Sequence, residues 1–427
     1  MDTAPDASEV RVTEPGRYPL FAVLTAHGVS LAGNSMTYLA VPWFVLDTTG
    51  SATRTGLAAA ASFLPILLSL TFGGVLVDRI GYRRASVIAD LFGAAMVALI
   101  PVLHFAGALT FPVLLVLVLL GAAFDVPGNA AREALLPALA QRSGMSVERA
   151  SSALEVVERG ARMAGAPLAG VLIALIGPVN VLLVDAGTFV LAALIVAVSR
   201  APRSAPEAEA AGEPYLAGLA QGFAFLWRDR LLRAIALLLA TTNMLDVAYV
   251  SVVLPVYGDR VLSGAGAIGL LIGTSAVAGV AGGIVFGAVA HRLPRRPLFT
   301  VVFLLVGLPR CLVLAVEPSL PLIFTVVAAT GFCAGMINPI LRTAQYHRIP
   351  EGMRARGLGA ISAVAFATVP LGPIVGGGLI SSAGLTATLL VFACVYAAAA
   401  SSLMLFGVWR EIGTAPGGAR TRPREKG

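Results

Sequence analysis

The sequence predicts an all-α integral membrane protein: twelve transmembrane helices arranged as two parallel six-helix repeats. Three observations carry this prediction. Hydrophobic residues make up 57% of the 427 and charged residues 12%, against roughly 25% charged in soluble domains, and the mean hydropathy is +0.87. Apolar runs of about 20 residues, the length that spans a hydrocarbon core as helix, recur twelve times. A short charged string also appears twice, half a chain length apart, as Gly74-Val75-Leu76-Val77-Asp78-Arg79-Ile80-Gly81-Tyr82-Arg83-Arg84 and Gly287-Ala288-Val289-Ala290-His291-Arg292-Leu293-Pro294-Arg295-Arg296.

Residues 1–19 are polar and acidic and form an N-terminal tail, without the basic start and small-residue cleavage site of a secretory signal. The first bundle covers 20–199, with spans near 20–46, 56–77, 85–106, 111–131, 152–176 and 180–199. Gly and Pro inside these runs are compatible with membrane helices, because neighbouring groups re-satisfy the freed backbone. Residues 200–232 form a linker. Its first part, Pro202 to Pro214, is rich in Pro, Ala and Glu and reads as flexible. Its second part places Leu216, Leu219, Phe223 and Leu226 at helical spacing beside Arg228 and Arg230, an amphipathic helix for the membrane surface. The second bundle covers 233–410, with spans near 233–257, 266–290, 297–316, 320–341, 357–382 and 386–409, and 411–427 is a C-terminal tail.

The repeat extends beyond the charged string. Pro42 and Pro255 close the first and seventh spans at the same separation as the two strings, Gly121 and Arg132 match Gly331 and Arg342, and Pro167-Leu168-Ala169-Gly170 matches Pro373-Ile374-Val375-Gly376. Six spans per repeat preserve orientation, so the halves are related by an axis along the membrane normal. The turns after spans two, four, six, eight and ten hold most arginines, among them Arg83, Arg84, Arg142, Arg228, Arg292 and Arg348, while the opposite turns hold little beyond Arg54 and Arg260. The positive-inside rule then places both termini in the cytoplasm of a multi-pass protein of the bacterial cell membrane. The net charge of +7 is an inner-face bias toward anionic membrane lipid, with no support for nucleic acid as a partner.

Twelve spans in two parallel halves, a middle cytoplasmic loop and Gly-x-Leu-x-Asp-Arg-x-Gly-x-Arg-Arg between spans two and three resemble the major facilitator superfamily of secondary transporters. Ala130-Ala131-Arg132-Glu133-Ala134-Leu135-Leu136-Pro137, Ala161-Arg162 with Gly165 and Pro167, and Asp185-Ala186-Gly187-Thr188-Phe189 are similar to its bacterial efflux subfamily of macrolide and enterobactin exporters. The resemblance covers nearly the whole chain. It departs in two places: His291 and Pro294 stand where the first turn has Asp78 and Gly81, and Ala166 separates the glycine and proline that the family's antiporter signature joins.

The resemblance implies a cytoplasmic gate at the first turn, built from Gly74, Asp78, Arg79, Gly81, Arg83 and Arg84 with Asp90 two turns into span three. The alternative is a topology signal with surface ion pairs, each worth little. On span one His27, Ser30, Asn34 and Tyr38 share a face, and on span seven Thr242, Asp246, Tyr249 and Tyr257 do. Polar groups facing lipid are expensive, so these stripes line a substrate cavity or serve as hydrogen-bonding glue between helices. Asp125 of span four and Asn338 of span ten join the cavity set. Asp125, Asp246 and Asp185 are the proton-coupling candidates, since a low-dielectric cavity disfavours a carboxylate's charge, with Asp185 also readable as a structural hydrogen-bonding group. On span five Glu155 with Arg159 and Glu158 with Arg162 form i,i+4 pairs, which are either structural or release Arg162 from Glu158 to Asp125 when the carrier switches state.

No cofactor and no metal is expected: Cys311, Cys333 and Cys394 lie in apolar spans without CxxC spacing, and the four histidines are scattered. The single lysine, Lys426, excludes a P-loop and with it a nucleotide-driven pump. The sequence therefore points to a monomeric secondary carrier rather than an enzyme. It would exchange protons for an exported hydrophobic or amphipathic small molecule such as an antibiotic. Siderophore export, proton-coupled uptake, and a non-transporting sensor or assembly protein of the same fold stay open.

Overall fold

The structure is a computed structural model that describes residues 17–199, 215–262, 264–289 and 295–412, with the side chains of 66–79, 215–217, 219, 295–296 and 355 outside the description. The first bundle consists of α1 (Tyr18–Thr49), α2 (Ala52–Ile80), α3 (Tyr82–Phe105), α4 (Phe111–Arg142), α5 (Val147–Ile176) and α6 (Pro178–Val198). After α7 (Tyr215–Arg228) comes α8 (Arg230–Ala248), which continues through a π-helical turn, Tyr249–Val253, into α9 (Leu254–Arg260). The rest of the second bundle is α10 (Ala265–Val289), α11 (Arg295–Val316), α12 (Leu320–Arg348), α13 (Arg354–Ala367), α14 (Leu371–Ala383) and α15 (Leu385–Leu405). Among the described residues eleven helical stretches are long and apolar enough to cross a membrane, by length and composition, and α2, 29 residues long, fills the second of the twelve positions. No strand occurs among the described residues.

Two spans depart from a regular α-helix. In span seven Pro255 has no N–H and its ring crowds the carbonyl four residues back, and the π turn directly before it absorbs that mismatch. Span eleven breaks between Ala367 and Leu371, where Pro370 interrupts the hydrogen-bond ladder. Helix α8 engages the broken turn: Asn243 donates to the Ala365 carbonyl at 3.0 Å, satisfying a backbone acceptor of the turn, and the Thr368 hydroxyl donates to the Ala240 carbonyl at 2.6 Å.

The bundles join through α5 on α10, α2 on α14, and α1 on α9. Gly170 of α5 and Gly269 of α10 lie backbone against backbone, so a Cβ on either would strike the other chain segment. Thr53 of α2 donates to the Ser381 hydroxyl of α14 at 2.7 Å, and Trp43 of α1 packs on Gly258 of α9. These approaches all sit in the half of the bundle remote from Arg84, Arg142 and Arg348. One contiguous hydrophobic core runs through both bundles there, from Val41 and Phe44 through Val253 and Tyr257 to Phe392.

The amphipathic stretch after the linker is helix α7. Its Leu226 is buried and its Phe223 packs beside it against Leu232, Ile349 and Ile361, so this face covers the second bundle. Leu216 and Leu219 fall outside the described side chains, and so does the linker 200–214. At the start of α8, Asp229 caps the helix by accepting from the Leu231 and Leu232 amides and also accepts from Arg348 Nε at 2.9 Å, which ties α8 to the end of α12.

Candidate functional site

Charged side chains inside apolar helices are costly, so the places where they gather define the site. In the first bundle the centre is Arg132 of α4, 1% exposed. All five of its N–H groups have acceptors: Nε donates to His27 Nδ1 (3.3 Å), Nη1 to Asp90 (2.6 Å) and Ser86 (3.3 Å), and Nη2 to Asn129 (2.7 Å) and Ser30 (3.2 Å). Ser30 also donates to the other Asp90 oxygen at 3.3 Å. Four side chains from α1 and α3 thus converge on one guanidinium, which locks α1, α3 and α4 together. Asp90, expected beside the basic turn, is buried in this network instead.

From there the chain of contacts reaches α5. His27 Nε2 stands 3.2 Å from Glu158 Oε1, and the other Glu158 oxygen accepts from Arg162 at 3.2 Å. Since an arginine Nε can only donate, His27 Nδ1 must be the acceptor, and the neutral ring carries its hydrogen on Nε2, aimed at Glu158. Glu133 adds a second carboxylate, and ligand atoms of His27, Glu133 and Glu158 lie within 4.8 Å of one another. A divalent cation on Nε2 would need the lone pair that this tautomer does not offer. Glu155 and Arg159 pair one turn away at 2.6 Å, both well exposed.

Asp125 lies two turns before Arg132 on α4 and accepts from the Asn34 amide at 2.6 Å. Both residues line a small cavity with Thr37, Tyr38, Gly121 and Phe189, where the Tyr38 ring stacks on Phe63 at 5.0 Å between centroids. Asp185, fully buried, accepts from the hydroxyls of Thr37 and Thr188. The polar stripe of α1 is therefore spent within its own bundle, His27, Ser30 and Asn34 on α3, α4 and α5 and Tyr38 on Phe63 of α2.

The second bundle has its own charge centre. Asp246 of α8 accepts from Arg310 of α11 and from the Tyr396 hydroxyl of α15. The guanidinium carbon lies 4.7 Å from the Tyr249 ring centroid and 5.0 Å from that of Tyr396, within cation–π range. Thr242 is buried and its hydroxyl bonds back to the Leu238 carbonyl at 3.0 Å. Tyr257 is buried, with its hydroxyl unpartnered among the described residues. Asn338 and Arg342 are exposed on α12, so the arginine that repeats Arg132 in sequence does not repeat its burial.

Arg310 and Tyr396 were not singled out from the sequence. Arg310 did carry a signal, a lone arginine inside the apolar run 297–316, whereas Tyr396 had none. Of the expected gate, Gly74, Asp78 and Arg79 lie outside the described side chains, as do His291, Arg292 and Pro294 of the second turn. Gly81 makes the turn between α2 and α3 at φ 87°, a conformation that favours glycine. Arg83 donates to the Ala197 carbonyl at the end of α6, and Arg84 is exposed.

Residues 13–414 match the major facilitator family model described as transmembrane secretion effector. The chain belongs to that family. It is 34% identical over 384 residues to the multidrug efflux pump Tap of Mycolicibacterium fortuitum, covering 89% of this chain and 93% of the relative. It is 28% identical over 398 residues to the enterobactin exporter EntS of Shigella dysenteriae, covering 92% and 91% respectively. Among solved structures, the nucleoside transporter NupG superposes with a TM-score of 0.73 at 11% identity, over 90% of this chain and 98% of that one, which shows the shared fold. This member of the family is a multi-pass membrane protein and an efflux transporter.

Proposed function

We propose that this transporter expels a hydrophobic or amphipathic small molecule, such as an antibiotic or other secondary metabolite, across the bacterial cell membrane in exchange for protons. It works as a monomer by alternating access, with the six-helix bundles 20–199 and 233–410 rocking against each other. Its arginine-rich end and both termini face the cytoplasm. The similarity to the pump Tap, named for multidrug efflux, supports the substrate class.

One observation carries the coupling: each bundle holds an ionisable cluster deep in apolar helices, Asp90–Arg132–His27–Glu158 with Asp125 in the first and Asp246–Arg310 in the second. Asp125 is the leading proton carrier. It lines a small cavity and its hydrogen-bond partner is the Asn34 amide rather than a cation, whereas Asp246 is paired with Arg310 and Asp185 is held by two hydroxyls. A proton moving down the membrane potential supplies about 2.3 kcal/mol per 100 mV. Arg162 leaves Glu158 for Asp125 when the transporter changes state, and the first turn with Asp78, Arg79, Arg83 and Arg84 is the inner gate lock.

Everted membrane vesicles with an imposed pH gradient test the reading. The wild type accumulates members of an amphipathic panel. Asp125→Asn loses gradient-driven flux at least tenfold while keeping substrate-for-substrate exchange. Absence of flux for every compound in the panel would overturn the reading in favour of a sensor or assembly role.

A further inference from the structure

At the end of the first bundle remote from Arg84, Arg142 and Arg348, a cavity of about 240 Å³ lies between the last turn of α1, the start of α2 and the turn from α3 to α4. Phe44, Leu109, Phe111 and Leu114 give it an apolar wall, in which Arg54 of α2 and His104 of α3 also stand. Rings rather than hydrogen bonds hold these two in place. The Arg54 guanidinium carbon lies 5.5 Å from the Phe111 ring centroid, within cation–π range. The His104 ring meets Phe44 edge-on, with 5.1 Å between centroids and 88° between planes. Arg54 is exposed and His104 half-buried. Among the described residues the buried polar atoms without a partner are elsewhere, so the His104 nitrogens are within reach of a guest.

The hydrogen bonds around the cavity leave donors unspent. Thr48 and Thr49 give their hydroxyl hydrogens to the Phe44 and Val45 carbonyls at 2.7 and 2.6 Å, which covers carbonyls at the end of α1. Thr110 makes no bond to the first turn of α4, so its hydroxyl hydrogen is still to be given. No carboxylate among the described residues lies within ion-pair distance of Arg54, and Asp47, exposed beside Thr48, is not part of the wall. What remains is a guanidinium that only donates, an imidazole that donates from at least one nitrogen, and a hydroxyl. One fixed positive charge with no acid on the wall repels a cation and is neutralised by a monoanion. The fork of a guanidinium matches a carboxylate or a phosphodiester, and the apolar wall rewards a hydrocarbon body beside that group.

We propose that this cavity binds the monoanionic head of an amphiphile, a carboxylate or phosphodiester joined to an apolar body, with Arg54 as its counter-charge and His104 and Thr110 as further donors. Two sources carry that chemistry, a free amphipathic acid and an acidic phospholipid. The site shares no residue with the clusters around Asp125, Arg132 and Asp246, and it stands or falls without the efflux reading.

The test uses the detergent-solubilised full chain and equilibrium dialysis with three probes of one shape: 2-naphthoate, 2-naphthamide and 2-naphthylmethylamine. Protein-free micelles set the baseline for partition. Above that baseline 2-naphthoate binds at least tenfold tighter than the other two. Arg54→Gln removes this preference, Arg54→Lys keeps most of it, and Arg54→Glu transfers it to 2-naphthylmethylamine. The gain for the cation in Arg54→Glu doubles as proof that the variant is folded. Displacement of 2-naphthoate by dihexanoyl phosphatidylglycerol but not by dihexanoyl phosphatidylcholine upholds the site with acidic lipid as an occupant, and displacement by neither upholds it for free acids alone. Equal binding of 2-naphthoate and 2-naphthamide, or 2-naphthoate binding unchanged in Arg54→Gln, would overturn the site and leave the efflux reading intact.

Discussion

Arg132 donates its Nε hydrogen to Nδ1 of His27 at 3.3 Å, and that single contact dictates where the imidazole proton sits. With Nδ1 committed as acceptor, Nε2 points its hydrogen at Glu158. Protonating Nδ1 would set two cations face to face and break the contact with Arg132. The ring therefore joins the network that locks α1, α3 and α4 to the ion pairs of α5.

His27→Gln isolates that property, because glutamine can accept from Arg132 and donate to Glu158 but cannot take a proton. The expected outcome is a melting temperature close to wild type with gradient-driven export reduced at least tenfold. Full export by this variant would reduce His27 to a structural bridge.

The pair Asp90–Arg132 is buried on both sides, at 3% and 1% side-chain exposure. Removing one charge strands the other, at a cost of about 3–5 kcal/mol for a buried pair. Asp90→Asn should lower thermal stability accordingly in detergent melts, and Asp90→Leu with Arg132→Met should recover much of it. Export by the apolar double variant measures whether the pair has a transport role beyond stability.

The bundles touch at the end remote from the arginine-rich turns, where Thr53 and Ser381 are hydrogen-bonded. Alternating access requires that contact to open. Thr53→Cys with Ser381→Cys should form a disulfide under mild oxidation, stop export, and regain it on reduction. Export that continues with the bridge formed would show that this end does not part.

The gate assignment at the first turn is testable by accessibility. Asp78→Asn with Arg84→Ala should raise thiol labelling of a reporter cysteine at position 129 from the arginine-rich side during turnover. Unchanged labelling would leave the turn as a topology signal.

Much of the architecture was legible because membrane burial is a local property. A run such as 180–199 is apolar throughout, so its length alone marks it as a span, and Pro42 with Pro255 reveals the duplication without any contact being known. Local patterning was less informative where prolines interrupt a span. Pro370 is one proline among several tolerated in these helices, and only the packing of Asn243 and Thr368 between α8 and span eleven shows that the helix is broken there.

By itself the sequence determined the solvent, the number and order of spans, the twofold repeat and the polar positions that must not face lipid. Tertiary structure alone decided the partners: Arg132 with Asp90 and His27, Arg310 with Asp246, and the burial of Arg132 against the exposure of its repeat mate Arg342. The reason is physical. The cost of a charge in hydrocarbon depends on its own helix, so it can be read from a single run. The groups that offset it sit on other helices, brought within reach only by the way the bundle packs.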